Sequence, residues 1–226
     1  MDITWHGHSF FEIQGKANGE KIVVAIDPFD EKIGIKPKKA RANILLLSHY
    51  HNDHSNKKIV FGFEKEGKNN APVLIDEPGE YEVGGAKIKS IASFHDRVQG
   101  KEKGENNIFI IEMEGIKVCH MGDFNESELS KEQASEIVGT DIILIPVGGK
   151  FTISGKEAAK IIGQIEPKMV IPMHYKVSGV NLDIDDESKF LNVIGFKEKE
   201  KISKLKIQKS ELERKEGTEI VIMERT

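Results

Sequence analysis

The stretch ILLLSHYHNDH, residues 44–54, joins an apolar run to four side chains that can bind a metal ion. The run predicts a buried strand over Ile44–Leu47. In an extended segment His49 and His51 point to the same side and can bind one ion, while Asp53 and His54 lie past a turn and can face a neighbouring ion. Imidazole and carboxylate ligands suit zinc, manganese, iron or nickel, of which zinc is the commonest. The stretch therefore predicts a metal site, against the alternative of a polar surface loop with chance histidines.

Three other places put a histidine or an aspartate directly after an apolar strand. Because zinc takes about four ligands and a catalytic ion keeps one position open, one segment cannot complete two metal sites. His95, Asp123 and His174 follow such strands, and strand ends at one edge of a sandwich are where loops converge. His120 is a rival ligand, but it lies three residues before Asp123, so in an extended strand the two side chains face opposite sides. We expect His120 to be a structural histidine.

The composition describes an ordinary globular chain. Its 226 residues carry 33 Lys and Arg against 37 Asp and Glu, a formal net charge of −4 that argues against a basic nucleic-acid surface. The single cysteine, Cys119, excludes an intramolecular disulfide, fits a reducing compartment and is expected to be buried. With no apolar run near 18 residues and no signal-peptide pattern, we expect a cytoplasmic protein without a membrane span. The length predicts one domain over residues 1–226.

The order of predicted elements is strands, then alternating strands and helices, then strands. Ser154 and Glu157 form a predicted capping box, and Pro167 limits where that helix can end. This order favours layers of sheet flanked by helices. The predicted helices are Ser127–Val138, Ser154–Ile165 and Asp186–Val193; the predicted strands are Ile3–Trp5, Phe10–Ile13, Ile22–Ile26, Ile44–Leu47, Val73–Ile75, Ile88–Ala92, Ile108–Glu112, Ile116–Cys119, Asp141–Val147, Met169–Met173, Ile202–Ile207 and Glu219–Met223.

The chain resembles the metallo-β-lactamase-fold superfamily of metal-dependent hydrolases. The most specific match is the His-x-His-x-Asp-His signature at residues 49–54. Gly7-His8-Ser9, Ile26-Asp27-Pro28, Gly122-Asp123 and the segment 171–175 also match, and the combination is similar to the small stand-alone branch related to ascorbate-phosphate lactonases. The match covers residues 1–176, and the tail after Asn181 matches loosely. The resemblance implies an α+β fold, a four-layer αβ/βα sandwich.

The resemblance also implies two divalent metal ions and a division of the ligands between them. Asp53 and Asp27 have further implied roles: Asp53 orients the attacking hydroxide and handles a proton, and Asp27 fixes the tautomer of a ligand imidazole. The alternative for Asp27 is that it only begins a turn before Pro28. The implied ligands are His49, His51 and His95 for the first ion, Asp53, His54 and His174 for the second, and Asp123 as the bridge between them.

Three residues near these motifs have weaker patterns. His8 is expected to line the pocket or bond to a ligand carboxylate, which makes it a candidate catalytic residue, with a plain structural role as the alternative. Tyr175 follows His174, but a tyrosine beside a site is more often a packing residue than a substrate contact. His6 has no supporting pattern.

The reaction implied is metal-dependent hydrolysis by a hydroxide that bridges two ions, most simply two Zn²⁺, with Mn²⁺, Fe²⁺ or Ni²⁺ as alternatives. The bond is an ester, lactone, amide or phosphodiester of a small-molecule substrate, with anionic substrates favoured by analogy. Two alternatives stay open: a nuclease or phosphodiesterase that acts on nucleic acid, and a di-iron redox or sensor protein of the same fold. Assembly into a homo-oligomer also stays open.

Two polar segments complete the sequence predictions. Residues 97–106 contain glycine and follow His95, so they can form a mobile loop over the metals in which Arg97, Lys101 or Lys103 meets an anionic substrate. The alternative is a disordered solvent loop. Residues 197–206 mix lysine and glutamate, which predicts a solvated face rather than a nucleic-acid groove.

Overall fold

The computed structural model describes residues 1–65, 68–196 and 200–226. The helices in these residues are α1 (Lys131–Ile137), α2 (Gly155–Ile165), α3 (Glu187–Val193) and α4 (Lys209–Glu213), and 3₁₀ turns span Glu31–Ile33 and Lys57–Ile59. The strands are β1 (Asp2–Gly7), β2 (Phe10–Ala17), β3 (Glu20–Ile26), β4 (Ala40–Arg41), β5 (Ile44–Leu46), β6 (Val60–Phe61), β7 (Glu64–Lys65), β8 (Lys68–Asn69), β9 (Val73–Ile75), β10 (Gly79–Val83), β11 (Ala86–Phe94), β12 (Glu105–Met113), β13 (Ile116–His120), β14 (Ile142–Pro146), β15 (Met169–Met173), β16 (Leu205–Lys206) and β17 (Glu219–Ile220).

Two large sheets hold most of these strands. The first sheet has the order β16-β1-β2-β3-β5-β9, and the second has the order β10-β11-β12-β13-β14-β15-β17. In the first, β1, β2 and β3 are antiparallel, while β3, β5 and β9 run parallel. In the second, β10 to β13 are antiparallel, and β13, β14, β15 and β17 run parallel. Together with the helices, the two sheets confirm the α+β sandwich.

Side-chain alternation along the strands sorts the apolar residues into two clusters. In β5, Ile44 and Leu46 belong to the large cluster that joins the two sheets, whereas Leu45 and the following Leu47 belong to a smaller cluster on the other face of the first sheet. A strand buried on both faces needs apolar residues at every position. This explains why residues 44–47 read as a continuous apolar run. The Glu31–Ile33 turn covers the smaller cluster through the buried Ile33.

The helix predictions differ in how well they place the first residue. α2 begins where the capping box predicts: the Ser154 hydroxyl accepts from the Glu157 N–H, and the Glu157 carboxylate accepts from the Ser154 N–H. The prediction that the preceding helix begins at Ser127 was wrong, because Ser130 is the N-cap of α1 and shares a capping box with Gln133. A glutamine at the third helical position served as well as a glutamate.

The tail of the chain adds one strand to each sheet. β16 pairs with β1, and β17 pairs with β15. Both strands are shorter than predicted, α4 lies between them without having been predicted, and a single bridge joins Ile202 to Met223. Of the predicted solvated segment, residues 197–199 lie outside the described residues, while Lys201, Lys204 and Lys206 are exposed as expected. No helix in the described ranges is long and apolar enough to cross a bilayer; the single-domain organisation stays a prediction.

Candidate metal centre

The predicted site residues all lie just after strands that end at a common edge of the sandwich. The first sheet contributes the residues that follow β1, β3 and β5, and the second sheet contributes those that follow β11, β13 and β15. These residues are His8, Asp27, His49, His51, Asp53, His54, His95, Asp123 and His174. The convergence expected of strand-end loops is therefore present.

The possible ligand atoms form three overlapping groups. Within each group the atoms lie within 4.8 Å of one another. His49 and His54 each belong to two groups, so the groups form one continuous cluster. The groups are His49, His51 and His95; His49, His54 and Asp123; and His8, Asp53, His54 and His174. All seven predicted ligands are thus brought together with His8, while the assignment of each ligand to an ion stays a prediction.

Several buried polar atoms in this cluster have no hydrogen-bond partner in the described part of the chain. They include Nε2 of His49; Nε2 of His54 and His174 and Oδ1 of Asp123 also belong to this set, because they approach one another without the geometry of a hydrogen bond. Buried polar atoms are almost always paired, because an unpaired one costs about 1–3 kcal/mol. Imidazole nitrogens and a carboxylate oxygen that share a buried centre are the donors that zinc and related ions prefer. The residues present therefore fit a metal ion.

Asp123 lies at the middle of the cluster. Its Oδ2 atom is 3.1 Å from His95 Nε2 and 3.2 Å from His174 Nε2, and its Oδ1 atom is 3.1 Å from His54 Nε2. Its backbone N–H donates to Asn106 Oδ1 at 2.9 Å. Both carboxylate oxygens thus face imidazoles from different strands, as a bridging ligand requires.

Gly122 explains how the chain can turn into the site directly after β13. Its φ is +56°, and a Cβ at this position would lie 2.3 Å from Asn106 Oδ1 and 2.6 Å from Ser48 Cβ. Both the left-handed backbone and the close approach favour glycine. The Gly122-Asp123 pair therefore meets a backbone requirement as well as supplying a predicted metal ligand.

Asp27 and Ser48 determine which ring nitrogens of two histidines are free. The buried Asp27 carboxylate accepts from Ser48 N at 2.7 Å and Ser48 Oγ at 2.6 Å, and lies 3.1 Å from His54 Nδ1. Because an ionised carboxylate only accepts, the Ser48 hydroxyl must donate to it and must accept from His49 Nδ1 at 2.9 Å. His49 and His54 therefore both carry hydrogen on Nδ1. Their Nε2 atoms face the cluster, and Asp27 has the supporting position that the resemblance implies.

His8 is buried in the group that contains Asp53, His54 and His174. Its Nε2 lies 3.1 Å from Asp53 Oδ2, and its ring centroid lies 4.0 Å from that of His174. Its backbone carbonyl accepts from His174 N at 3.1 Å and from Trp5 Nε1 at 2.9 Å, which ties the β1–β2 turn to the end of β15. The contact with a carboxylate is the one predicted for His8.

Three residues of the centre have left-handed backbones. The φ angles are +54° for His8, +50° for Asp27 and +51° for His174. Non-glycine residues adopt this region at a cost, and they concentrate at functional sites. The fold thus holds the residues after β1, β3 and β15 in unfavourable backbone conformations.

The electrostatics of the cluster keep its central carboxylate ionised. Burial alone would raise the pKa of Asp123, but His174 and His54 hold that pKa well below its ordinary value. Burial opposes a charge on His54, yet the carboxylates of Asp123 and Asp53 outweigh it and raise the pKa of His54 well above its ordinary value. Burial lowers the pKa of His49 well below its ordinary value, and His54 adds to this. An ionised carboxylate among imidazoles is the charge pattern that attracts a divalent cation.

His120 faces away from the centre. Its Nε2 donates to the Ser9 carbonyl at 3.0 Å, and its Nδ1 accepts from Gly122 N at 3.1 Å. Both ring nitrogens of this fully buried side chain are thus engaged with backbone. The structural role expected for His120 agrees with this geometry.

His6 and Tyr175 also have structural surroundings. His6 Nε2 lies 2.5 Å from Glu12 Oε2, and its Nδ1 lies 3.0 Å from Thr226 Oγ1. Tyr175 is buried, and its ring centroid is 5.1 Å from that of Trp5. This burial against Trp5 agrees with the packing role that the sequence favours for Tyr175 over a contact with substrate.

The segment after His95 folds tightly rather than forming a loose lid. The Asp96 carboxylate accepts from the backbone N–H groups of Val98, Gly100, Glu102 and Lys103 at 2.8–2.9 Å. These four bonds hold the pKa of Asp96 below its ordinary value although its own desolvation opposes them. The expectation of a mobile or disordered loop over residues 97–106 is therefore replaced by a turn wound around one carboxylate.

A cavity of about 460 Å³ opens beside the cluster. Of the basic residues predicted for the loop, Lys103 lines this cavity, whereas Arg97 pairs with Glu157 at 2.5 Å and Lys101 is not among the lining residues. Sequence reasoning missed Lys32, which also lines it. The wall residues are Asp30, Lys32, Ile33, His51, Asn52, Asp53, His95, Lys103, Asp123, Phe151 and Leu182.

Comparisons with known proteins agree with this geometry. A UPF0173 metal-dependent hydrolase of Thermococcus onnurineus is 32% identical over 197 residues, which cover 77% of this chain and 84% of that protein. A UPF0173 metal-dependent hydrolase of Methanobrevibacter smithii is 33% identical over 200 residues, covering 77% and 82%. The crystal structure of a proposed Zn-dependent hydrolase of the metallo-beta-lactamase superfamily from Thermotoga maritima aligns with a TM-score of 0.75 and 32% identity, covering 99% of both chains.

A match to a family model identifies the superfamily. The model of the beta-lactamase superfamily domain matches residues 2–174, which run from β1 to the last predicted metal ligand. This range contains every residue of the cluster. The chain therefore belongs to the beta-lactamase superfamily and, within it, to the UPF0173 family of metal-dependent hydrolases.

Proposed function

We propose that the protein is a dinuclear hydrolase, with zinc as the preferred metal, that cleaves an ester, lactone, amide or phosphodiester bond of a small anionic substrate. The observation that carries this proposal is the set of buried, unpartnered Nε2 atoms of His49, His54 and His174 around the Asp123 carboxylate. A mononuclear centre would leave part of this donor set without a partner. Two ions can together bind the donors of the group around His51 and His95 and those of the group around Asp53 and His174.

The proposed division of ligands follows the groups of atoms in the cluster. When bound, the two ions supply an activated water and polarise the bond to be cleaved. Asp123 links the two halves, because its two oxygens face different histidines. We assign His49, His51 and His95 to one ion, Asp53, His54 and His174 to the other, and Asp123 to both.

Asp53 and His8 act together in the proposed mechanism. Asp53 lines the cavity and is only half-buried, so its carboxylate can orient an attacking water and accept a proton from it. His8 is buried, and burial together with His174 lowers its pKa to about 4, so it is neutral near pH 7. In that state its Nε2–H donates to Asp53 Oδ2 and fixes the carboxylate. His8 is thus a positioning residue for Asp53.

Metal content and a hydrolase screen test the proposal. We expect about two zinc ions per chain by elemental analysis. We also expect turnover of at least one class among lactones, carboxylic esters, amides and phosphodiesters. His51→Ala and Asp123→Asn should lower metal content and turnover by more than the roughly 10–100-fold cost of losing a supporting residue. Tyr50→Phe is the matched control, because Tyr50 adjoins His51 but is 60% exposed and bonds to Asp76 outside the cluster.

Two results would overturn the proposal. One is protein that binds no transition metal after incubation with zinc, manganese, iron or nickel. The other is turnover that survives His51→Ala and Asp123→Asn at the level of Tyr50→Phe. An absorption spectrum separates the di-iron alternative, since a zinc centre is colourless.

A further inference from the structure

We propose that the substrate is an amphipathic anion: an apolar acyl or aryl group lies against Ile33, Phe151 and Leu182, and an anionic group lies near Lys32. The proposal rests on the proposed hydrolase function, since the same cavity is lined by Asp53 and Asp123. It goes further by naming the chemistry of the substrate body.

The apolar wall is built from three separate segments. Ile33 belongs to a 3₁₀ turn, Phe151 follows β14, and Leu182 lies in the tail beyond the last predicted ligand. Ile33 is buried in the smaller apolar cluster, and Leu182 packs against that cluster. The apolar surface is therefore backed by packed side chains. Small-molecule sites combine such apolar walls with a few polar groups.

Phe151 is fixed in place by a lysine from the turn around Asp96. Lys103 Nζ donates to the Phe151 carbonyl at 3.2 Å and lies 5.2 Å from the centroid of the Phe151 ring. Lys150 Nζ lies 5.9 Å from the same centroid. The Lys103 ammonium thus stabilises the position of Phe151 in the apolar wall. The wall exists before a substrate binds.

Lys32 is the cation of the cavity that has no partner. Its ammonium forms no ion pair or hydrogen bond among residues 1–65, 68–196 and 200–226, and the residue is exposed. Asp30, which also lines the cavity, caps the turn by accepting from the backbone N–H of Lys32 at 3.0 Å. An anion near Lys32 therefore meets a free positive charge beside a carboxylate that is already hydrogen-bonded. This favours an anionic group on the substrate over a cationic one.

The cavity has room for an apolar group of moderate size. A cavity of about 460 Å³ falls in the range of about 300–1,000 Å³ that is usual for small-molecule sites. This volume has room for an aliphatic chain of about six carbons or a single aromatic ring.

Binding of simple carboxylates tests the proposal without requiring turnover. The probes are hexanoate, acetate and hexan-1-ol, titrated by NMR into the zinc-loaded full-length protein. We expect hexanoate to bind about tenfold or more tightly than acetate, since each buried methylene favours binding. Phe151→Ala and Leu182→Ala should each reduce this chain-length preference at least about threefold. Two variants are used so that the result does not depend on one of them folding.

The charge requirement has its own variants. Lys32→Gln should weaken the binding of acetate and of hexanoate by the same factor of about three to ten. It should leave the affinity for hexan-1-ol and the chain-length preference unchanged. Lys32→Arg should restore carboxylate binding. Lys101→Gln is the matched control, because Lys101 is an exposed lysine outside the cavity wall.

Equal binding of acetate and hexanoate by the wild-type protein would overturn the proposal. A chain-length preference that both wall variants retain would overturn it as well, and so would carboxylate binding that Lys32→Gln leaves intact. These results leave the metal content and the hydrolase screen unaffected. Loss of the hydrolase function would instead show as absent metal or absent turnover.

Discussion

Ser48 has no charge and lies outside the metal-binding motif by one residue, yet it sets the tautomer of His49. Its hydroxyl accepts from His49 Nδ1 only because it donates to Asp27, and Asp27 also faces His54 Nδ1. One carboxylate thus orients two of the proposed ligand histidines. The physical content of the Ile26-Asp27-Pro28 motif lies in this shared acceptor.

Asp27→Asn should weaken metal binding about 10–100-fold. The new amide group would direct N–H donors at Ser48 Oγ or at His54 Nδ1, which already offer hydrogens, so at least one histidine would lose its favoured tautomer. The measurement is zinc affinity by competition with a coloured chelator.

Asp141→Asn is the matched control for Asp27→Asn. Asp141 is a buried aspartate with structural partners: Lys209 Nζ lies 2.7 Å away and Lys117 N lies 2.9 Å away. This variant should lose stability while keeping its zinc affinity. Equal zinc affinity of Asp27→Asn and wild-type protein would contradict the role of Asp27.

The sequence predicts the residues of this centre unequally, for a physical reason. His49, His95 and Asp123 are predictable because imidazoles and carboxylates after apolar strands have few other uses. Ser48 and Lys32 are not predictable, because their roles depend on which atoms the fold brings beside a hydroxyl or an ammonium. Serine and lysine are common at ordinary surface positions, so nothing in the pattern marks them.

At the scale of elements, the turn around Asp96 replaces what the sequence indicates as a loose loop. Glycines and charged residues in residues 97–106 favour flexibility when read alone. Four backbone N–H groups that converge on one carboxylate reverse that expectation. Through Lys103 the same turn holds Phe151.

Asp96→Ala should loosen this turn without unfolding the sandwich. Four backbone donors lose their acceptor, so amide hydrogen exchange over residues 97–104 should rise at least about tenfold, while exchange in β12 stays slow. Hydrogen exchange followed by mass spectrometry measures this. Asp183→Ala is the matched control, because Asp183 lies on an exposed loop and pairs through its side chain with Lys150. Unchanged exchange over 97–104 would show that the turn persists without the carboxylate.

The capping box of α2 is the element that the sequence predicts best, because its signal is local. Ser154→Ala removes the acceptor of the Glu157 N–H, so the free energy of unfolding should fall by about 1 kcal/mol. Urea unfolding measures this difference. Ser135→Ala is the control: this hydroxyl lies within α1 and donates to the Glu132 carbonyl, so its loss should change stability by less than about 0.5 kcal/mol. Equal effects of the two substitutions would contradict the cap.

At the scale of the whole molecule, the centre exists only where the two sheets meet. His8, Asp27 and residues 49–54 come from the first sheet, and the remaining ligands come from the second. Backbone hydrogen bonds cross this junction: His174 N donates to the His8 carbonyl at 3.1 Å, and Asn107 N donates to the Ser48 carbonyl at 2.8 Å. The sequence indicates strands and ligands but not this junction, because packing between sheets depends on contacts far apart in the chain.

Metal removal should therefore weaken the packing of the two sheets as well as the site. A ligand that binds only the folded state stabilises it by about 4.1 kcal/mol when its concentration is 1,000 times Kd. For a chain of 226 residues, each kcal/mol shifts Tm by roughly 2–4 °C. Stripping the metal with a chelator should then lower Tm by about 8–16 °C in calorimetry, and zinc should restore it. Asp123→Asn should respond much less to zinc, since it lacks the carboxylate that faces histidines of both sheets. Equal Tm values with chelator and with zinc would mean that the two sheets pack independently of the metal.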